Sequence, residues 1–318
     1  MRILIWHVHG SWTTALVQGS HTYLLPVTPQ RGPDGRGRAR TWSWPESAVE
    51  VSLDRLRDED IDAVILQRPH EEQLTRRLTG RHPGHDLPAI YVEHDAPWGD
   101  VPVTRHPVAD RADLRLVHVT HFNQLMWDSG RTPVTVIEHG VVDPGPLWTP
   151  AIAHAAVVIN DPGRRNRYVG SDLLPFFAEQ VPVDLFGMRV TRLDAPPGLP
   201  IRPYEDLPQE RMHRELARRG AYLHPVRWTS LGLSLIEAMH LGMPVVAFAT
   251  TDAVEAVPPG AGILSTNAER LREAVRRLLA DPAEAAQLGK HAREAALDRY
   301  GLARFLADWD RVLAEVTR

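Results

Sequence analysis

The stretch His224-Pro225-Val226-Arg227-Trp228-Thr229-Ser230-Leu231-Gly232-Leu233-Ser234-Leu235-Ile236-Glu237-Ala238-Met239-His240-Leu241-Gly242-Met243-Pro244-Val245-Val246-Ala247 holds the residues whose types and spacing best suit chemistry. It reads as a strand end, a loop, a helix, a glycine stop and a second strand. The first turn of a helix leaves N–H groups without intrahelical partners and carries partial positive charge, so the helix after Gly232 can hold an anion. Glu237 lies just inside that helix. A carboxylate there can accept hydrogen bonds from a ligand's hydroxyl groups while the N–H groups hold phosphate. The ribose and diphosphate of a nucleotide require that pair of contacts, so the pattern points to a nucleotide-sugar site.

Such a site needs a scaffold, and 318 residues are enough for two domains of ordinary size. The net charge of −4 comes from acids and bases mixed along the chain, which gives no bulk attraction to nucleic acid. The absence of cysteine excludes disulfides, thiolate metal sites and thiol catalysis, and gives no reason to place the chain outside a reducing cytoplasm. The N-terminal run Met1-Arg2-Ile3-Leu4-Ile5-Trp6 is too short for a signal segment, and no stretch approaches the ~18 apolar residues of a membrane span. The expectation is a soluble cytoplasmic protein with no integral membrane segment and no nucleic-acid partner. Its oligomeric state is open.

Apolar runs at Ile3–Val8, Thr22–Val27, Ala63–Gln67, Ala89–Glu93, Leu114–Val119 and Val134–Ile137 read as strands. Short helices are expected at Trp12–Gln18, Ser52–Arg57, Glu71–Leu78 and Phe122–Ser129. His9-Gly10-Ser11 breaks the first strand where a phosphate or sugar loop sits in an open α/β sheet, though no GxGxxG follows. Pro29–Arg40 reads as a long loop. After a Pro- and Gly-rich turn at Glu138–Pro146 a second series begins: strand Ala155–Ile159, helix Asp172–Glu179, strand Val183–Gly187, strand Ala221–His224 and the opening motif. Helices at Ala268–Leu279, Pro282–Arg299 and Phe305–Val316 follow. Strands alternating with helices imply βαβ units and parallel sheets. The expected fold is α/β, with domains at 1–146 (plus the C-terminal helix 303–318) and 147–302 facing a cleft.

Leu235 to Ala247 resembles the "EAMAxGxPVVA" block of the retaining GT-B glycosyltransferases of family 4. Val136-Ile137-Glu138-His139-Gly140-Val141-Val142-Asp143 is similar to that family's "VIPNGVD", and the tail is similar as well. The likeness is strong from Arg219 to Tyr300 and implies a GT-B fold of two Rossmann-like domains, with the C-terminal helix crossing back to the first. The family signature is two glutamates eight positions apart; the partner of Glu237 falls at Thr229, so the first glutamate is replaced. Glu237 then carries over to ribose binding, with Thr229, Ser230, Leu231, Gly232, Leu233 and Gly187 as the other donor residues.

The resemblance also implies that arginines of the segment Asp161–Asp172 hold the departing diphosphate. Arg164, Arg165 and Arg167 are the candidates, and spacing does not decide which two serve. Tyr91-Val92-Glu93-His94-Asp95 resembles the family's strand-end "HD", which implies that His94 reaches donor sugar or acceptor. His9, Gly10 and Ser11 form the acceptor or closure loop, while His139 is assigned to the interdomain turn. No metal pattern, dinucleotide glycines or GxSxG elbow is present. The implied activity is metal-independent, cofactor-free, retaining transfer of a hexosyl unit from a nucleoside diphosphate sugar, base unknown, to a small-molecule or glycan acceptor. A GT-B-like nucleotide-sugar epimerase and a catalytically silent nucleotide-sugar-binding protein are the alternatives.

Overall fold

Short apolar runs, buried on both faces, build the parallel sheets of an α/β protein. In the computed structural model, which describes residues 1–318, the chain divides into two units: Met1–Val142 with Leu302–Arg318, and Asp143–Gly301.

The first unit carries β1 (Arg2–Ile5), α1 (Gly10–Leu16), β2 (Thr22–Val27), β3 (Ala48–Ser52), β4 (Ala63–Leu66), α2 (Glu71–Thr79), β5 (Ala89–Glu93), β6 (Arg115–His118), α3 (His121–Met126) and β7 (Val134–Val136). The strands form one sheet in the order β3-β2-β1-β4-β5-β6-β7, with parallel pairing throughout. Leu4, Trp6, Leu24, Val64, Leu66 and Leu116 belong to its core. The C-terminal helix (Leu302–Val316) buries Phe305, Trp309, Val312 and Leu313, and the Trp309 ring meets Trp12 of α1 edge-on at 5.6 Å. Sequence order reverses between β1 and β4, and in open α/β sheets that switch point opens a crevice at the carboxyl ends of the strands.

The second unit carries β8 (Ile152–Val158), α4 (Pro162–Val169), α5 (Leu174–Ala178), β9 (Val183–Gly187), β10 (Ile201–Glu205), α6 (Gln209–Leu216), β11 (Arg219–His224), α7 (Leu233–His240), β12 (Val245–Phe248), α8 (Ala253–Ala256), β13 (Gly262–Ser265), α9 (Ala268–Ala280) and α10 (Pro282–Arg299). Its parallel order is β10-β9-β8-β11-β12-β13, with the switch point between β8 and β11. Val157, Phe177, Leu185, Leu223, Val246, Leu271 and Val275 fill the core. No helix is long and apolar enough to cross a membrane.

Several sequence expectations are corrected. Gly10 and Ser11 are the first turn of α1, not a loop: the Thr13 N–H donates to the His9 carbonyl at 2.8 Å, and the Thr13 and Thr14 hydroxyls also donate to the carbonyls of His9 and Gly10. The expected helix at Ser52–Arg57 is a strand end and one tight turn: Ala48–Ser52 pairs with β2, a strand the sequence reading missed. The arginine segment is a helix kinked at Asn166 (φ 27°, ψ −101°). The expected helix Asp172–Glu179 is a turn over Ser171–Leu173 followed by α5, with Pro175 in its first turn. Also missed were β10, an edge strand able to carry Pro203, and α6. The Pro29–Arg40 loop is tied down by the Arg31–Glu50 pair and by Arg38, which donates to the carbonyls of Trp44 and Pro45.

Candidate functional sites at the two switch points

In the second unit, β8 leads into α4 and β11 leads through 225–232 into α7, so both segments leave the carboxyl edge at the switch point. The backbone ties them together. The N–H groups of Arg227 and Trp228 donate to the Tyr168 carbonyl at 2.9 and 3.1 Å, and the Arg227 guanidinium makes a two-pronged contact with Asp172 at 2.6 and 3.0 Å. Gly170 makes this approach possible. Its φ of +73° is left-handed, and a Cβ there would collide with the Pro225 carbonyl. Gly187, predicted as a donor residue, is required for the same reason against the Ile159 carbonyl: its φ is +136°.

The N-cap of α7 is Gly232, which has no side chain to cap the helix, and the first turn carries no acidic residue. A Cβ at Gly232 would overlap the ring of His224, which is buried at the end of β11. Burial pushes the pKa of His224 down to about 4, so that ring adds no charge beneath the helix terminus near neutral pH. Of the predicted donor residues, Ser230 and Leu231 are buried, whereas Thr229, Gly232 and Leu233 are partly exposed. Glu237 is buried in the second turn of α7. Its Oε1 accepts from Gln209 Nε2 at 3.1 Å, and His213 Nε2 lies 3.5 Å from Oε2.

The three predicted arginines differ in their settings. Arg164 Nε donates to Asp161 at 2.9 Å, and Arg189 Nη1 donates to the same carboxylate oxygen at 2.9 Å. The hydrogen bond from Arg164, followed by that from Arg189, holds the Asp161 carboxyl below its ordinary pKa range. Asp161 is the N-cap of α4 in a left-handed conformation, so this pair of cations stands at a helix start. Arg167 turns toward the other end of α4, 3.4 Å from Asp172, and Arg165 is half-buried. Arg189, Arg227, Gln209 and His213 were missed by the sequence reading. Their partners lie 28, 55, 28 and 24 positions away, beyond any local spacing signal.

The first unit's switch point is lined by histidine. His94, just past β5, is buried and its Nε2 stands 3.0 Å from Gln67 Oε1, while Gln67 Nε2 donates to the Trp6 carbonyl at 2.7 Å. This orientation of the Gln67 amide makes His94 Nε2 the donor and leaves Nδ1 with the lone pair. Gln67 is itself anchored at the β4–α2 turn, where its N–H donates to the buried Glu71 carboxylate at 2.6 Å. The His9 ring lies 4.1 Å from His94, and Trp12 meets His94 edge-on at 4.8 Å. Burial, then the neighbouring His9 and His139, drives His94 well below its ordinary pKa. His139 is likewise buried, and burial pushes it down to about 3. The sequence reading placed His139 in the interdomain turn; the structure brings it within electrostatic reach of His9 and His94. Gly10 opens α1 directly against the Trp42 ring.

Against known proteins, residues 202–295 match the family described as glycosyl transferases group 1. That segment contains α6, β11 and α7. No curated protein matches the chain. Among solved structures, sucrose-phosphate synthase from Thermosynechococcus elongatus superposes with a TM-score of 0.72 at 14% identity, covering 99% of both chains. HepE from Anabaena in complex with UDP and glucose gives 0.72 at 15% identity, also over 99% of both. A glycosyltransferase from Rickettsia africae gives 0.70 at 12% identity over 100% of this chain and 98% of the other. At these identities the likeness establishes the fold, which is GT-B.

Proposed function

We propose, taking as premise a glycosyltransferase of GT-B fold, that this chain moves a hexosyl unit from a nucleoside diphosphate sugar to a small-molecule or glycan hydroxyl with retention of configuration. The observation that carries this reading is the pairing at one switch point of an uncapped, acid-free helix start, the arginines of α4 and a buried carboxylate one turn into α7. UDP, the nucleotide named with HepE, is the first to test.

In this mechanism the bond between the sugar C1 and the diphosphate oxygen breaks while the acceptor oxygen approaches from the same face. Arg164 and the first-turn N–H groups of α7 take up the charge growing on the leaving oxygen, which lowers the barrier more than it favours bound substrate. A leaving phosphate oxygen accepts the proton of the acceptor hydroxyl, so no protein base is needed at the sugar. Fixed cations serve where other transferases use a metal ion, and activity should survive EDTA. His94, with its lone pair on Nδ1, serves the acceptor.

Thr229 stands where the family resemblance puts the first glutamate. Its neutral hydroxyl can bond to a sugar but cannot balance positive charge developing at C1. That residue favours one second reading, a protein that binds nucleotide sugars without turning them over. Incubation of UDP-hexoses with a panel of sugar acceptors in EDTA, followed by NMR of the product's anomeric centre, separates the readings. Transfer with retained configuration supports the proposal; inversion overturns it, tight binding without product supports the silent reading, and an epimer formed from donor alone points to an epimerase.

A further inference from the structure

We propose that Gln209 and His213 of α6 are positioning residues that hold the Glu237 carboxylate in the orientation a ribose diol requires. The inference rests on the nucleotide reading of α7 given above. Residues four apart share one face of a helix, and this face of α6 addresses the two oxygens of one carboxylate separately. Gln209 Nε2 donates to Oε1 at 3.1 Å, and His213 Nε2 lies 3.5 Å from Oε2.

The burial pattern gives the two residues different parts. Glu237 and His213 are 3% and 5% exposed, whereas Gln209, immediately after Pro208 at the start of α6, is partly exposed. Gln209 is therefore the member of the set that reaches solvent. Its amide fixes the carboxylate plane through one lone pair of Oε1 and, being neutral, leaves the negative charge available to a diol. The His213 nitrogen is buried without a hydrogen bond of good geometry, and bounds the movement of Oε2 from the inner side. A glutamate side chain free to turn would lose that freedom on binding ribose; one already held loses less, and affinity rises by the difference. Neither residue touches the sugar or the diphosphate in this scheme, so their influence runs through Glu237 alone.

The test is calorimetric titration of wild type, Gln209→Ala, His213→Phe, Glu237→Ala and Gln209→Ala/Glu237→Ala with UDP and with 2′,3′-dideoxyuridine 5′-diphosphate, together with donor kinetics. Loss of one hydrogen bond to a charged group predicts that Gln209→Ala weakens UDP about five- to tenfold. The same variant should leave the dideoxy nucleotide unaffected and raise the donor KM with kcat nearly unchanged. His213→Phe, which removes no well-formed hydrogen bond but changes the shape of the wall beside Oε2, should move UDP in the same direction by a smaller factor than Gln209→Ala. The double variant should bind UDP no worse than Glu237→Ala alone. Equal weakening of both nucleotides, an additive double variant, or wild-type UDP binding by Gln209→Ala overturns the proposal while leaving the nucleotide site standing. Wild-type UDP binding by Glu237→Ala, or failure of the native protein to bind any of UDP, GDP, ADP and dTDP, sinks both. Because Gln209 is partly exposed, its variant decides the matter even where His213→Phe does not fold.

Discussion

The sheets of the two units reverse their strand order at equivalent places, β1 against β4 and β8 against β11, yet the crevices carry opposite chemistry. The first holds His94 and His139, whose pKa values burial lowers, with His94 locked by Gln67 and packed on His9 and Trp12. The second carries arginines on a helix start and an uncapped helix N-terminus. Topology decides where a ligand can sit, and side chains decide which ligand. A neutral crevice suits the hydroxyl of an acceptor, which must be held without being charged. A cationic one suits a diphosphate, whose charge rises as the glycosidic bond breaks.

Removing a group from one crevice should leave the work of the other intact. The largest effect is expected from His94→Ala, through lost orientation of the acceptor hydroxyl rather than loss of a base: a fall of about 10²–10³ in kcat with UDP affinity unchanged, read by steady-state kinetics beside calorimetry. Arg164→Ala should lower kcat by about 10², in proportion to the charge it stabilises on the leaving group. Arg167→Ala, confined to an exposed contact with Asp172, should stay within about twofold. Gly170→Ala acts on the scaffold beneath the cationic crevice. It forces a side chain into a left-handed turn against Pro225 and should cost on the order of 3 kcal/mol, visible in thermal unfolding, with UDP binding lost in parallel.

A further effect is one of pH, and it belongs chiefly to the first unit. His139 and His118 are pushed down to about 3 by burial in the first unit, and His224 to about 4 in the second. A histidine whose pKa is lower in the fold than in the unfolded chain binds fewer protons when folded. Its contribution to stability is therefore complete above about pH 6.5 and is lost as pH falls toward 4. Denaturation midpoints should drop between pH 7.5 and pH 5, and His139→Leu should flatten that slope.

Much of this frame was legible in the sequence because it rests on local signals. Apolar runs marked the buried strands, and the block around Glu237 marked the helix and strand that carry it. The misses share a cause. β10, with Arg202 and Pro203 in an edge strand, lacks the apolar run of a central strand, and α4 hides its helix behind Asp161, Pro162 and Gly163. The partners that orient the crevices, Gln67 for His94 and Gln209 for Glu237, come from other elements and meet only through packing. His139 lies in the segment between β7 and the unit boundary, as its place in the chain implies; its electrostatic contact with His9 and His94 is set by packing that local spacing does not show.

The most direct test of the central claim is calorimetric titration of UDP into wild type, Arg164→Ala and His94→Ala. The account predicts that UDP binds wild type and His94→Ala alike and binds Arg164→Ala at least several-fold more weakly. Equal affinity of wild type and Arg164→Ala, or loss of UDP binding in a folded His94→Ala, would contradict the division of labour between the two crevices.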